Sequence, residues 1–200
     1  PVATVKAQLI TGSANWSTAI TGTYANYFDI TTLELKDGKR FTNADERRAA
    51  KVCLVGMTVV KELFGEYSDP VGKSIRINKV PFKIIGVLEE KGAGMMGNDQ
   101  DDIVLAPFSS VQRRLLGSTK VQQIFATSFS EEEAEQTATE IENVLYKRLK
   151  VSAEDEAFSI RTMSEISNML SKTSEILIVL LASIAGISLL VGGIGIMNIM

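Results

Sequence analysis

The stretch ILIVLLASIAGISLLVGGIGIMNIM, residues 176–200, contains no charged residue. The last charge of the chain is Glu175, so all 24 acidic and 21 basic residues lie within residues 1–175. A helix rises about 1.5 Å per residue, so this stretch would span about 38 Å, against about 30 Å for the hydrocarbon core of a bilayer. The sequence therefore predicts a water-soluble domain joined to a transmembrane helix, in preference to a buried core helix.

The predicted transmembrane helix carries small residues at four-residue spacing. The pairs are Ala182 with Gly186 and Ser188 with Gly192. Small residues let helices approach closely in a bilayer, so we expect this helix to pack on another membrane helix. Charge does not give its orientation, because the sequence that would flank it is incomplete on both sides.

Composition excludes several classes of function. The chain has no His, which rules out His-based catalysis and His metal ligands, and its single Cys53 allows no internal disulfide. A net charge of −3 argues against a nucleic-acid binder. We therefore expect no catalytic residue, no metal site and no nucleic-acid partner. The start at Pro1 and the end inside an apolar run predict a fragment of a longer polypeptide.

Periodicity and turn residues place the elements of the soluble part. Strands are predicted at residues 2–10, 19–23, 51–55, 75–77, 82–88, 121–129 and 158–161. Turns are predicted at residues 36–39, which contain Asp37-Gly38, and at residues 78–81. A helix cap is predicted at residues 43–46, and a helix that begins at residues 56–58 is stopped by Gly65.

The C-terminal part of the soluble domain is predicted to be more helical. A capping box at Ser130 begins a helix that runs to about Lys150, and a second capping box, Thr162 with Glu165, begins a helix continuous with the apolar tail. The buried face of the first of these helices is predicted to consist of Ala134, Ala138, Ile141, Leu145 and Leu149. With the strands at 121–129 and 158–161 it would form a βαβ-like unit.

Residues 91–102, KGAGMMGNDQDD, form the segment with the least predicted regular structure. Gly92, Gly94 and Gly97 with Met95 and Met96 predict a loop with an apolar tip. Flexible Met side chains suit contact with a partner protein or substrate, and a plain surface loop is the equal alternative. Asn98 and Asp99 are expected to hold a turn, since the calcium-loop spacing is missing.

Seven short segments occur in a specific order along the chain: residues 23–30, 33–41, 52–56, 63–65, 69–75, 81–88 and 97–102. In this order they resemble the segments of MacB-type periplasmic core domains. The order of the short motifs is more specific than any one of them. The tail, residues 189–200, is similar to the transmembrane helix that opens the FtsX-like permease domain. Lys39-Arg40 departs from the family pattern and affects only the detail of that turn.

The resemblance implies an α+β fold with two lobes outside the cytoplasm, joined to a transmembrane α-helix. Residues 1–25 and 118–162 would form a βαβ-containing lobe, residues 26–117 an inserted β-rich lobe, and residues 163–200 the stalk and second transmembrane helix. The location would be the inner membrane, with residues 1–175 extracytoplasmic.

The function implied by the resemblance is that of an ABC transporter permease that transmits ATP-driven motion for efflux or export. It is not an enzyme itself, and its cofactor, ATP, would be bound by a separate or fused ATPase. Implied partners are that ATPase, a second permease copy, a periplasmic adaptor with an outer-membrane channel, and membrane lipid. Two alternatives stay open: an anchored binding or sensor module, and a lipoprotein-release-type permease that acts on partner proteins.

Overall fold

The computed structural model describes residues 1–200 except 13, 32, 67, 95–96, 119, 129, 131, 152–156 and 198–200. The strands in the described part are β1 Val2–Thr11, β2 Ala14–Thr23, β3 Leu35–Gly38, β4 Val52–Val55, β5 Ser74–Ile77, β6 Val80–Leu88 and β7 Ile103–Pro107. The helices are α1 Tyr27–Thr31, α2 Asn43–Arg47, α3 Met57–Phe64, α4 Phe108–Val111 with its π-helical continuation Gln112–Leu116, α5 Ala134–Leu149 and α6 Met163–Met197. Two compact units, Pro1–Ala126 and Thr127–Met200, divide the chain.

The first unit is built on one mixed sheet. Its strand order is β3-β6-β4-β7-β2-β1-β5, and β5 also pairs with β6. Pairing therefore runs from β6 through β4, β7, β2, β1 and β5 back to β6, which leaves β3 as an addition on β6. The β2–β7 and β4–β6 pairs are parallel, and the other pairs are antiparallel.

In strands that border solvent, apolar and polar residues alternate, so that one face is buried and the other is exposed. In β1 the side chains of Ala7 and Leu9 are buried while Lys6 and Gln8 are exposed. In β4, by contrast, residues 53–55 are all buried, because that strand lies between β6 and β7 in the interior of the sheet. The strands thus enclose two apolar clusters, a larger one containing Leu9 and Phe82 and a smaller one around Phe28 and Phe41.

Helix α3 follows the predicted pattern. Gly56 is its N-cap, and Gly65, at φ 91°, ends it. The buried stripe at Met57, Val60 and Leu63 has the three-residue spacing that covers one helix face. The predicted hairpin also forms: β5 and β6 pair through Ile77 and Val80, which leaves Asn78-Lys79 as a two-residue turn.

One predicted turn is wrong, and one predicted helix cap is shifted. The predicted turn at residues 36–39 is wrong, because Asp37 and Gly38 belong to β3, which pairs with the distant strand β6. Gly38 has φ 86°, and a Cβ there would collide with the backbone of Ile85. The cap of α2 lies one residue earlier than predicted: Thr42 is the N-cap, in a capping box with Asp45.

The predicted βαβ unit is not formed by the described residues. In residues 121–128, Gln123 makes one isolated bridge to Val2, and residues 157–162 form no strand. The prediction failed because a strand needs a partner, and the apolar side chains of Val121, Ile124 and Phe125 stay 49%, 62% and 47% exposed. Helix α5 does form, but its predicted face is not buried: Ala134, Ala138, Ile141 and Leu145 are half-buried, and Leu149 is exposed.

One sheet contains strands from both predicted lobes. Strands β1 and β2 of the first predicted lobe lie in the same sheet as β3–β7 of the inserted lobe. The two compact units divide after Ala126, and the bounds of the lobes themselves stay a prediction.

Candidate partner-binding loop and membrane helix

A buried carboxylate holds the base of the loop formed by residues 91–102, called here the anchored loop. Asp101 is 4% exposed, and its two carboxylate oxygens accept hydrogen bonds from the backbone N–H groups of Lys91 (2.9 Å) and Gly92 (2.8 Å). Its own N–H donates to Oδ1 of Asp99 at 2.8 Å. One residue thus joins the two ends of the loop.

The anchored loop is also attached to the first turn of α3. The hydroxyl of Thr58 donates to Oδ2 of Asp99 at 2.6 Å, and this bond is the main cause that lowers the pKa of the Asp99 carboxyl. Lys61 pairs with Glu90 at 2.9 Å beside the loop, and that hydrogen bond raises the pKa of the Lys61 ammonium. At Gly56 the helix N-cap lies so close to Asp101 that a Cβ would collide with its carbonyl oxygen.

The residues predicted for the loop have the following places. Gly92 and Gly97 have φ 74° and 75°, in the left-handed region, while Gly94 donates its N–H to the carbonyl oxygen of Asn98 at 2.8 Å. Ala93 and Asp99 form an isolated antiparallel bridge. Met95 and Met96 lie outside the described residues, so the predicted apolar tip stays a prediction.

The anchoring residues Asp101 and Asp102 were not predicted from the sequence. The turn was assigned to Asn98 and Asp99, whereas in the structure the next two residues have separate partners: Asp102 accepts the indole N–H of Trp16 at 2.8 Å, and Asp101 closes the loop. Their position in the sequence could have indicated this role, because Asp101 and Asp102 directly precede the buried strand β7. An acidic residue at that place needs hydrogen-bond donors, and loop N–H groups supply them.

The only Cys of the sequence takes no part in this region. Cys53 is fully buried in β4, and burial raises the pKa of its thiol. It therefore stays protonated and packs as a small apolar side chain.

Helix α6, the candidate membrane helix, begins at the predicted capping box. Oγ1 of Thr162 accepts from the N–H of Glu165 at 3.2 Å, and a carboxylate oxygen of Glu165 accepts from the N–H of Thr162 at 3.0 Å. Helix α6 then continues for 35 residues to Met197, and Met163–Gly192 is long and apolar enough to cross a membrane.

The small residues predicted for helix packing lie along the exposed surface of α6. Ala182, Gly186, Ser188 and Gly192 are all exposed, and a Cβ at either Gly would meet nothing within 4 Å. The surface is thus open to a second helix in a bilayer, and the pairing itself stays a prediction.

Comparison with known proteins gives one family for most of the chain. The family model for the MacB-like periplasmic core domain matches residues 1–144. The chain belongs to this family. A macrolide export ATP-binding/permease protein, MacB, from Bdellovibrio bacteriovorus is 38% identical over 202 residues, which cover 100% of this chain and 31% of that protein. The chain therefore spans about a third of this curated relative.

Two solved structures share the fold of this MacB-like domain. The extracellular domain of the noncanonic ABC-type transporter YknZ from Gram-positive bacteria has a TM-score of 0.66 at 18% identity, covering 76% of this chain and 75% of that one. The periplasmic region of MacB from Actinobacillus actinomycetemcomitans has a TM-score of 0.59 at 24% identity, covering 74% and 66%. The predicted resemblance and the α+β class are confirmed, as is an inner-membrane location with an extracytoplasmic domain.

Proposed function

We propose that this MacB-like chain is the extracytoplasmic domain and a membrane helix of an ABC export permease, and that it carries ATP-driven motion across the membrane. The observation that supports this most directly is the uninterrupted helix α6, which starts at Thr162 outside the membrane and enters the apolar stretch after Glu175. The names of the relatives, macrolide export ATP-binding/permease proteins, supply the direction of transport.

A continuous helix is suited to this role because it is stiff along its axis. Each turn of α6 is held by backbone hydrogen bonds, and the Thr162–Glu165 capping box satisfies N–H groups that the first turn would otherwise leave free. A displacement at the membrane end is then passed to the capped end rather than absorbed by a hinge.

The proposal assigns the chemistry to other parts of the assembly. ATP would bind and be hydrolysed on an ABC ATPase, fused or separate, and the MacB-like chain would perform no covalent step of its own. A second permease copy would pack on the face of α6 that carries Ala182 and Gly186. A periplasmic adaptor with an outer-membrane channel would receive the substrate, and the anchored loop is the surface we assign to such a partner.

The test breaks the helix while leaving its composition almost unchanged. Thr173 lies on the exposed surface of α6 before the apolar stretch, and Thr173→Pro removes one helical hydrogen bond and kinks the helix, whereas Thr173→Ala keeps it straight. The full-length protein with its ATPase is assayed for ATP hydrolysis and for macrolide efflux from cells.

We expect Thr173→Pro to keep ATP hydrolysis and lose efflux, and Thr173→Ala to keep both. Normal efflux by Thr173→Pro would show that α6 is not a lever. If the unmodified protein shows no ATP-dependent transport of any compound tested, the export function itself is wrong, and an anchored binding module becomes the better assignment.

A further inference from the structure

A group of basic side chains lies on two segments of the first unit that are in direct contact. Helix α2 and the residues after it run beside α4 and its π-helical continuation: the N–H of Ser109 donates to Glu46 Oε1 at 2.8 Å, and the hydroxyl of Ser110 donates to the carbonyl oxygen of Ala50 at 2.7 Å. Further along, Nη2 of Arg114 donates to the carbonyl oxygen of Ala49 at 3.3 Å. These bonds fix the two segments against each other.

The exposed cations of these segments form what is called here the basic surface. Its members are Arg47, Arg48, Lys51, Arg113 and Arg114, all exposed. Among ion pairs between described residues, one involves this surface, Arg48 with Asp45 at 2.9 Å. The other nearby acid, Glu46, is 6% exposed and turned inward to Ser109. Five positive charges therefore face two negative ones, of which one is buried.

The backbone beneath the basic surface holds it in place. Ala49 has φ 47°, and the N–H groups of Ala49 and Ala50 bond to the carbonyl oxygens of Glu46 and Asp45, which closes the end of α2 in a Schellman motif. Helices with π geometry occur mostly as short pieces and frequently at functional sites, and here the π segment carries Arg113 and Arg114.

The charge of the whole first unit agrees with this local excess. Residues 1–126 contain 16 Lys and Arg and 13 Asp and Glu, a net of +3, although the complete chain has a net of −3. The basic surface thus lies on a positively charged unit within an acidic protein, and surface charge of one sign raises the association rate of a partner of opposite charge.

We propose that the basic surface binds a carboxylate-rich segment of a partner protein. Four of its five members are Arg, whose planar guanidinium groups match carboxylates with two parallel hydrogen bonds. Binding to a lipid surface would combine cations with apolar anchors, and none of the exposed large apolar residues in the described chain falls within residues 43–51 or 108–118. The proposal does not depend on export.

The experiment measures binding of a defined acidic probe to the full-length protein in nanodiscs of phosphatidylcholine. The probe is a fluorescein-labelled 12-residue peptide of alternating Glu and Gly, with the Gln-Gly peptide as its neutral counterpart, followed by anisotropy at low and high salt. Arg47→Glu with Arg113→Glu reverses two charges of the basic surface. The matched control, Arg76→Glu with Lys79→Glu, reverses two exposed charges on the β5–β6 hairpin and its turn.

We expect the Glu peptide to bind, salt to weaken it, and the Arg47/Arg113 variant to lose about tenfold in affinity, while the hairpin variant changes by less than about threefold. Equal losses in both variants would mean that only bulk charge matters and would overturn the proposal. Binding to phosphatidylglycerol vesicles in preference to the peptide would overturn it in favour of lipid. The milder Arg47→Gln with Arg113→Gln variant tests the same point if the reversal impairs folding.

Discussion

Replacement of Asp101 by Ala is the most direct test of how the anchored loop is held. The carboxylate of Asp101 is buried and accepts the N–H groups of Lys91 and Gly92, so the substitution leaves two backbone donors without their partner. An unsatisfied buried donor costs about 1–3 kcal/mol. Because Lys91 is exposed and Gly92 half-buried, water replaces part of what is lost, and we expect the free energy of unfolding to fall by about 2–3 kcal/mol in total.

The assay uses the single Trp of the sequence. Trp16 lies on β2 in the same unit as the loop, so its fluorescence during urea denaturation reports on that unit. Hydrogen exchange of residues 89–102 in native conditions adds a local measure, and we expect the amides of Lys91 and Gly92 to exchange faster in the variant.

The matched control is Asp69→Ala. Asp69 also accepts a backbone N–H, that of Val71 at 2.9 Å, but in an exposed turn. We expect it to cost about 0.5–1 kcal/mol, as a single exposed hydrogen bond does. The reasoning is refuted if Asp101→Ala costs no more than Asp69→Ala, or if the exchange of the loop amides is unchanged.

The remaining predictions concern the turn residues and pH. Lys79 has φ 74° in the hairpin turn, so Lys79→Gly should raise the free energy of unfolding by about 0.5–1 kcal/mol and Lys79→Ala should not, which urea denaturation with Trp16 fluorescence checks. Lys150, at φ 55°, is the C-cap of α5; Lys150→Gly should slow amide exchange in α5 and Lys147→Gly, inside the helix, should speed it. The pKa of Asp99 is lowered in the folded state, so its stabilising effect is present above the unfolded pKa and is lost as pH falls through the folded pKa; the fall in urea midpoint from pH 6 to pH 3 should be smaller in Thr58→Val.

Local signals predicted their elements well. The Thr162–Glu165 capping box, the Gly56 and Gly65 limits of α3, and the Asn78-Lys79 hairpin each depend on contacts within a few residues, and each is present in the structure. The apolar tail is of the same kind, because length and the absence of charge are sufficient to identify a helix that can span a bilayer.

Elements that depend on distant partners could not be predicted in the same way. Asp37-Gly38 has the composition of a hairpin turn, but its backbone pairs with Val87 and Gly86 in β6, about fifty residues later. Conversely, residues 121–128 have the composition of a strand and make a single bridge. Strand propensity describes suitability for a pleated surface, and whether a neighbouring strand is available is decided by the whole fold.

The anchored loop depends both on local residues and on contacts with distant parts of the first unit. Its glycines were visible in the sequence, but its fixed points are long-range: Thr58 on α3 and the buried Asp101 before β7. The N–H of Gly56 also donates to the carbonyl oxygen of Ile103 at 2.9 Å, which joins the start of α3 to the start of β7. A force on the loop is therefore applied to a helix and to a strand in the interior of the sheet. Without these attachments, a displacement of the loop by a bound partner would be absorbed by rotation of the exposed backbone. Loss of Asp101 should therefore weaken the transmission of motion between the partner and the sheet more than it weakens binding of the partner.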